Sequence, residues 1–181
     1  MSFIIIIAVV VIVALIVVSM YNSLVREREM VRNAKGQIAT QVESRWDAIS
    51  SLIDATKSYE KHEDELLRDI TKSRTGVGRN SDVKDFEAEE NLFNQAMGRI
   101  NVVAENYPNL KASDVYQNTM IQIAKFEDNV RHSRMIYNDT VTKYNTNIQS
   151  FPSSLVASAF NFGQEAYFEN TKEKNEVPSW N

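Results

Sequence analysis

Side chains able to do metal or acid–base chemistry are few and far apart. His62 and His132 are the two histidines of this 181-residue chain, and the residues three positions before them are Tyr59 and Asn129. A carboxylate-bridged metal pair in a helical bundle needs two Glu-x-x-His pairs and two more inward glutamates, so that site is not predicted. A single metal ion held by His62, Glu63 and Glu127 is a narrower reading. A histidine that only donates and accepts hydrogen bonds is favoured over it. Serines are plentiful, but none lies in a G-x-S-x-G or comparable setting that would place a nucleophile beside a base. No catalytic, cofactor-binding or metal-binding residue is therefore assigned, no cofactor is expected, and the chain reads as a non-enzyme. Gly76 and Gly78 lie in the stretch RTGVGRNSDVKD from Arg74 to Asp85. With no strand before it and no Gly-Lys-Ser/Thr after it, this is a turn or loop rather than a phosphate cradle. The chain has no cysteine, which removes disulfides, thiol nucleophiles and Cys-ligated metals.

The residues that stand out are charges in apolar positions. Leu24, Val31, Ile38, Leu52, Tyr59 and Leu66 share a sevenfold register, with Val42, Ile49, Thr56 and Ile70 offset by four, the pattern of a packed helical seam. Arg45 falls in that seam where an aliphatic residue belongs. A second seam places Tyr116, Ile123, Val130, Tyr137, Tyr144 and Phe151 seven apart, with Met120, Glu127, Arg134, Val141 and Ile148 as companions. Glu127 and Arg134 interrupt it. A buried charge needs a partner, so Arg45, Glu127 and Arg134 are expected to form a structural polar layer in which the carboxylate accepts from both guanidinium groups. Tyr107, Tyr137 and Tyr144 read as core aromatics with the hydroxyl at the rim. The alternative is that the repeated pairs Tyr21-Asn22, Tyr137-Asn138 and Tyr144-Asn145 extend the polar bonding.

These seams need long helices to carry them, and the first begins in an apolar run. From Phe3 to Val18 every side chain is Phe, Ile, Ala, Val or Leu, and Ser19 to Tyr21 extend the run to about 19 residues. As a helix it reaches about 28 Å, close to the roughly 30 Å hydrocarbon core of a bilayer. Phe3, Ile7, Val11, Leu15 and Val18 mark this membrane anchor. A cleaved signal would have a basic start and a small-residue cleavage site; neither is present, so the anchor is expected to be retained. Arg26, Arg28, Arg32 and Lys35 follow the run and no Lys or Arg precedes it. The positive-inside rule then predicts a single-pass protein of the cell membrane, with its N-terminus outside and its C-terminal bundle in the cytoplasm.

The rest is one domain's worth of chain, rich in polar residues and poor in Gly (5) and Pro (3), a composition that favours long helices. A net charge of −4 speaks against nucleic-acid binding. The expected fold is all-α: residues 1–21 as transmembrane helix, continuing into an antiparallel bundle over 22–169 with three long helices and a shorter C-terminal one, and a disordered tail over 170–181. Helix one shows no stop before Arg74, and its Gly36 marks a bend or close contact. Helix two spans about 85–106 and is ended by Pro108, helix three is capped by Ser113 or Asn109 and ended by Pro152, and the last runs from Ser153 to Glu169. Gly163 divides this last helix, whose aromatics pack on the bundle or, alternatively, touch the membrane interface.

Several motifs occur in a collinear order. They are Tyr21-Asn22-x-Leu24-Val25 after the anchor, Gln37-Ile38 to Arg45, Tyr59-x-x-His62-Glu63, Glu105-Asn106-Tyr107-Pro108-Asn109-Leu110-Lys111-Ala112, Glu127 to Arg134, Tyr137-Asn138, Tyr144-Asn145, Phe151-Pro152, and Phe162-Gly163 to Tyr167-Phe168-Glu169. In this order the chain resembles the LemA family of bacterial membrane proteins over Tyr21 to Glu169. The resemblance implies a cytoplasmic antiparallel bundle on one N-terminal transmembrane helix. Where the family carries Asp-Leu-Ile-Pro-Asn-Leu-Val, this chain reads Asp47-Ala48-Ile49-Ser50-Ser51-Leu52-Ile53, without the proline, so a straighter first helix is expected. The function expected is that of a membrane-anchored scaffold or adaptor. Its partners are the lipid bilayer, further copies of itself as a homo-oligomer, and other membrane proteins, with no nucleic acid. The alternatives are a transmembrane signal relay through the continuous first helix and, less favoured, an enzyme or metal-binding protein using His62, Glu63 and Glu127.

Overall fold

No proline occurs before Pro108, and nothing interrupts the first helix: α1 runs unbroken over Ser2–Thr56, 55 residues. The computed structural model describes residues 1–56 and 76–169. Within them are five helices and no strand: α1, α2 (Val83–Asn106), α3 (Pro108–Lys111), α4 (Asp114–Gln149) and α5 (Ser153–Ala159). The start of α1 is apolar on every face, and the window long and apolar enough to cross a membrane has none of its residues buried. Phe3, Ile7, Val11, Leu15 and Val18 are all exposed. Past Tyr21 the same helix becomes one-sided, burying Leu24, Val31, Ile38, Val42, Ile49 and Leu52. Tyr59, Leu66 and Ile70 of the predicted seam, the course of the chain from Lys57 to Arg74, and the tail over 170–181 lie outside the described residues.

The pairing of α1 with α4 is antiparallel. Asn147 donates to Glu27 (2.9 Å), Asn129 to Gln41 (3.1 Å) and Arg45 to Glu127, so one residue number rises as the other falls. Helix α2 runs in the same sense as α1. Arg79, just before α2, meets Glu29 (3.0 Å) and Gly36, whereas Phe93 reaches Trp46 further along. The chain therefore re-enters the described structure beside Gly36, twenty residues back along α1 from Thr56. Gly36 marks that close approach: a Cβ there would stand 3.6 Å from the Arg79 side chain. Helix α2 starts at Val83, two residues before the expected Asp85, because Asp85 accepts from the Asp82 N–H (2.8 Å) and closes the turn.

Pro108 ends α2 as predicted, and the connection folds into the single helical turn of α3. The Ser113 hydroxyl, and not Asn109, caps α4 by accepting from the Tyr116 N–H at 3.3 Å. Helix α4 ends at Gln149. Phe151, assigned to its apolar seam, lies past that end and is 81% exposed, because a residue before proline is pushed out of helical backbone geometry. The Phe151–Pro152 peptide is cis.

The predicted last helix, Ser153 to Glu169, is corrected to seven residues. The break falls at Asn161 rather than Gly163: Asn161 takes a left-handed conformation (φ 56°), and the Phe162 N–H reaches back to the Ala157 carbonyl at 2.9 Å. This is the six-to-one bond that closes a helix on a left-handed residue, and asparagine is among the few non-glycine residues that tolerate the position. Residues 162–169 then form a non-helical strap laid along α4.

Candidate functional site

Two polar constructions hold the bundle, and the first surrounds Arg45. The seam of α1 carries this side chain to full burial among three helices. Its Nη2 donates to both carboxylate oxygens of Glu89 (3.0 and 2.9 Å). Its Nη1 donates to Glu127 and, at 3.4 Å, to Glu90. The guanidinium carbon stands 3.7 Å from the Phe93 ring centre, so the cation is roofed by an aromatic face. Trp46, next on α1, donates its ring N–H to Glu89 and packs edge-on against Phe93 at 5.6 Å. Arg134 bonds Glu90 at 2.9 Å. The expectation that Glu127 would accept from both arginines is therefore corrected: Glu90 is the carboxylate that accepts from both. Arg134 and Glu90 are only about three-quarters covered, so this outer part of the cage reaches solvent.

Sequence reasoning missed Glu89, Glu90 and Trp46. A signal was present: Glu89 lies three residues after Phe86 and four before Phe93, on the buried stripe of α2, as misplaced among apolar neighbours as Arg45. It was hidden in the acidic run Glu87 to Glu90, which reads as a solvated face.

Two guanidinium groups face three carboxylates, and burial among these neighbours shifts the acidities of Arg45 and Glu89. Burial alone would lower the Arg45 pKa, but Glu89, Glu127 and Glu90 together outweigh it and drive it up. Burial pushes the Glu89 carboxyl above its ordinary range despite Arg45 and the Trp46 hydrogen bond. The physical reason is desolvation: a fully buried carboxylate loses its hydration, and the bonds from Arg45 and Trp46 do not fully offset that cost.

The second construction is a pair of asparagine clamps. Asn138 donates to the Phe168 carbonyl and accepts from the Phe168 N–H, both at 2.9 Å. Asn145 treats Glu165 in the same way, at 2.9 and 3.0 Å. Seven residues of helix rise about 10.5 Å, and three residues of extended chain cover about 10 Å. The two spacings match, so one helix face serves as the hydrogen-bonding edge for the strap. The Tyr137 hydroxyl adds a bond to the Ala166 carbonyl at 2.9 Å, and Lys35 of α1 meets Glu165 at 3.4 Å.

The clamped strap delivers Phe168 between α2 and α4, where its ring meets Phe86 at 5.5 Å and Tyr137 at 5.0 Å. Arg134 lies 5.2 Å above the same ring, which couples strap and cage. The Tyr-Asn pairs of α4 thus extend the polar bonding, and their tyrosines are not rim residues: Tyr137 and Tyr144 are fully buried. Burial pushes both phenols up in pKa, and the Tyr144 hydroxyl has no partner among the described residues. Of the histidine idea, His132 is exposed, Glu127 faces Arg45, and His62 and Glu63 lie outside the described residues.

Fold and site together define a class: an all-helical bundle, locked by an internal arginine–carboxylate cage, whose first helix carries an apolar end long enough to cross a membrane. The chain belongs to the LemA family, whose profile matches residues 34–181. It is 28% identical to Protein LemA of Metamycoplasma hominis over 150 residues, covering 82% of this chain and 68% of that protein. It is also similar to Magnetosome protein MamQ 2 of Paramagnetospirillum magneticum, 31% identical over 77 residues, and to Magnetosome protein MamQ of Magnetospirillum gryphiswaldense, 29% identical over 76 residues. Each of these two matches covers 42% of this chain and 28% of the relative.

Proposed function

We propose that this chain is a membrane-anchored scaffold or adaptor, acting by position and association and not by catalysis. The observation that carries the reading is the continuity of α1. One helix is exposed and apolar on all sides at its start and becomes the central, one-sided helix of the bundle without a break. Placed in a bilayer, residues 1–21 are the anchor and 22–169 the bundle. The basic residues following the span favour the N-terminus outside and the bundle in the cytoplasm. Relatives named as magnetosome proteins suit a component of a larger assembly.

In this reading the Arg45 cage fixes register. A guanidinium that must meet Glu89, Glu90 and Glu127 at once allows one axial alignment of α1, α2 and α4, as buried polar groups do in helical seams. Confining the bundle to a surface raises its local concentration, so side-by-side copies present a multivalent face to other membrane proteins.

The mass of the full chain in nanodiscs or detergent, measured by light scattering over a dilution series, tests the self-association. A defined oligomer that survives dilution is expected. A strict monomer at every concentration removes the self-assembling scaffold and leaves an adaptor that engages its partner singly. The unbroken α1 also supports a second reading, a relay that carries a shift of the span into the bundle.

A further inference from the structure

From Tyr144 to Gln164 the sequence holds no Asp, Glu, Lys or Arg, in a chain that is 24% charged. This uncharged stretch contains the end of α4, the Phe151–Pro152 turn, all of α5 and the turn at Asn161. Its inner side is anchored: Val156 and Ala157 are buried, and the Ser153 hydroxyl donates to carbonyl oxygens at the end of α4. Its outer side is bare, with Phe151, Leu155 and Phe160 exposed by 81, 64 and 53%.

The position of this face decides what covers it. Phe160 and Phe162 pack on Tyr21, with ring centres at 4.8 and 5.7 Å, and Tyr21 ends the apolar run of α1. Val17 and Met20, inside that run, already pack against the core. The exposed face of α5 is therefore continuous with the lipid-exposed surface of the span, at the level where a span of about 20 residues leaves the hydrocarbon. Arg26 is exposed five residues further along α1, about 7.5 Å higher, level with lipid phosphates. Apolar and aromatic side chains below and a basic residue above match the layering of a bilayer interface.

We infer that the Phe151–Phe160 segment is a membrane foot: α5 lies in the interfacial layer of the same bilayer that α1 crosses, with Phe151, Leu155 and Phe160 among the acyl carbons nearest the headgroups. The inference rests on the membrane reading of α1. It adds a second point of attachment, which fixes the tilt of the bundle where a lone span would leave it free to lean.

Because the chain lacks cysteine, single-site labels are direct. The full-length variants Leu155→Cys, Phe151→Cys, Val11→Cys and Ile121→Cys each carry an environment-sensitive fluorophore in vesicles of phosphatidylethanolamine and phosphatidylglycerol. All four positions are exposed, and circular dichroism verifies the helix content of each. Lipids spin-labelled near the headgroup are expected to quench most of the emission at Leu155 and Phe151, lipids spin-labelled deep in the acyl chain most of that at Val11, which lies at the middle of the span, and neither much of that at Ile121, which faces solvent near the far end of the bundle. Quenching at Val11 with none at Leu155 and Phe151 overturns the foot and leaves the span standing. No quenching at any site overturns the membrane reading and the foot with it. Shielding of Leu155 from both lipid-borne quencher and aqueous iodide overturns the foot in favour of a protein occupant, a second copy included.

Discussion

Arg45 and Glu89 are each fully buried, and each is tolerable only because the other is there. Replacing Arg45 by Leu removes the cation and strands the Glu89 charge; the expected loss is about 3–5 kcal/mol, read by chemical denaturation of the detergent-solubilised chain. Pairing Arg45→Leu with Glu89→Leu should recover much of that loss, because two apolar side chains of suitable size replace a pair whose desolvation nearly cancels its attraction. If the double variant is no more stable than the single one, the cost of Arg45→Leu does not arise from the stranded carboxylate. The acidity of Glu89 gives a second outcome. Its folded pKa is raised, so its contribution is fully present below the ordinary carboxylate pKa and is lost as pH rises through the folded value. The stability of the parent chain relative to Glu89→Gln should therefore increase on mild acidification from neutral pH, measured as the difference between the two denaturation curves at each pH. A difference that is flat with pH contradicts the raised value.

At the level of elements, the strap is the part held most by polar bonds and least by its own secondary structure. Asn145 alone supplies two hydrogen bonds to the backbone of Glu165. At about 1 kcal/mol for each such bond, Asn145→Ala should destabilise the chain by about 2 kcal/mol. The loss should concentrate in residues 162–169, since α4 itself keeps its backbone ladder. Hydrogen exchange read by mass spectrometry checks this: faster exchange in the strap with unchanged protection in the middle of α1 is the expected result. Uniform loss of protection throughout would show instead that the strap and its Phe168 wedge are part of the global folding unit. The misplaced end of the last helix has the same origin. Ser153 to Glu169 reads as helical because its residues are apolar and it contains a single glycine, and no local rule announces that two asparagines on another helix will hold it non-helical.

For the whole molecule, the question is whether span and bundle are separable. The core lies beyond Tyr21, and the window of α1 suited to a membrane has no buried residue. Deleting residues 1–16, short of Val17, Met20 and Tyr21, should leave the bundle folded, with the melting temperature shifted by no more than a few degrees. The truncated chain should still bind anionic vesicles weakly through α5, whereas replacing Leu155 and Phe160 by Ser in it should abolish that binding. Co-sedimentation with vesicles distinguishes the cases, and a truncated chain that fails to fold would show that the span contributes to the bundle's stability.

What the sequence by itself determined was whatever depends on periodicity and proline. The apolar run, the sevenfold seams of α1 and α4, the stop at Pro108, the misplaced Arg45 and the family motifs all follow from residue type at fixed spacing, and helix packing obeys such spacing closely. The tertiary structure decided everything that depends on which faces meet. It chose Glu89 and Glu90 as partners of the arginines, ran α2 in the same sense as α1, and ended α5 at Asn161. It also turned Asn138 and Asn145 into clamps and set the bare side of α5 beside Tyr21. The physical reason is that a buried charge or an amide states its need for a partner locally, whereas the partner is supplied by another helix many residues away.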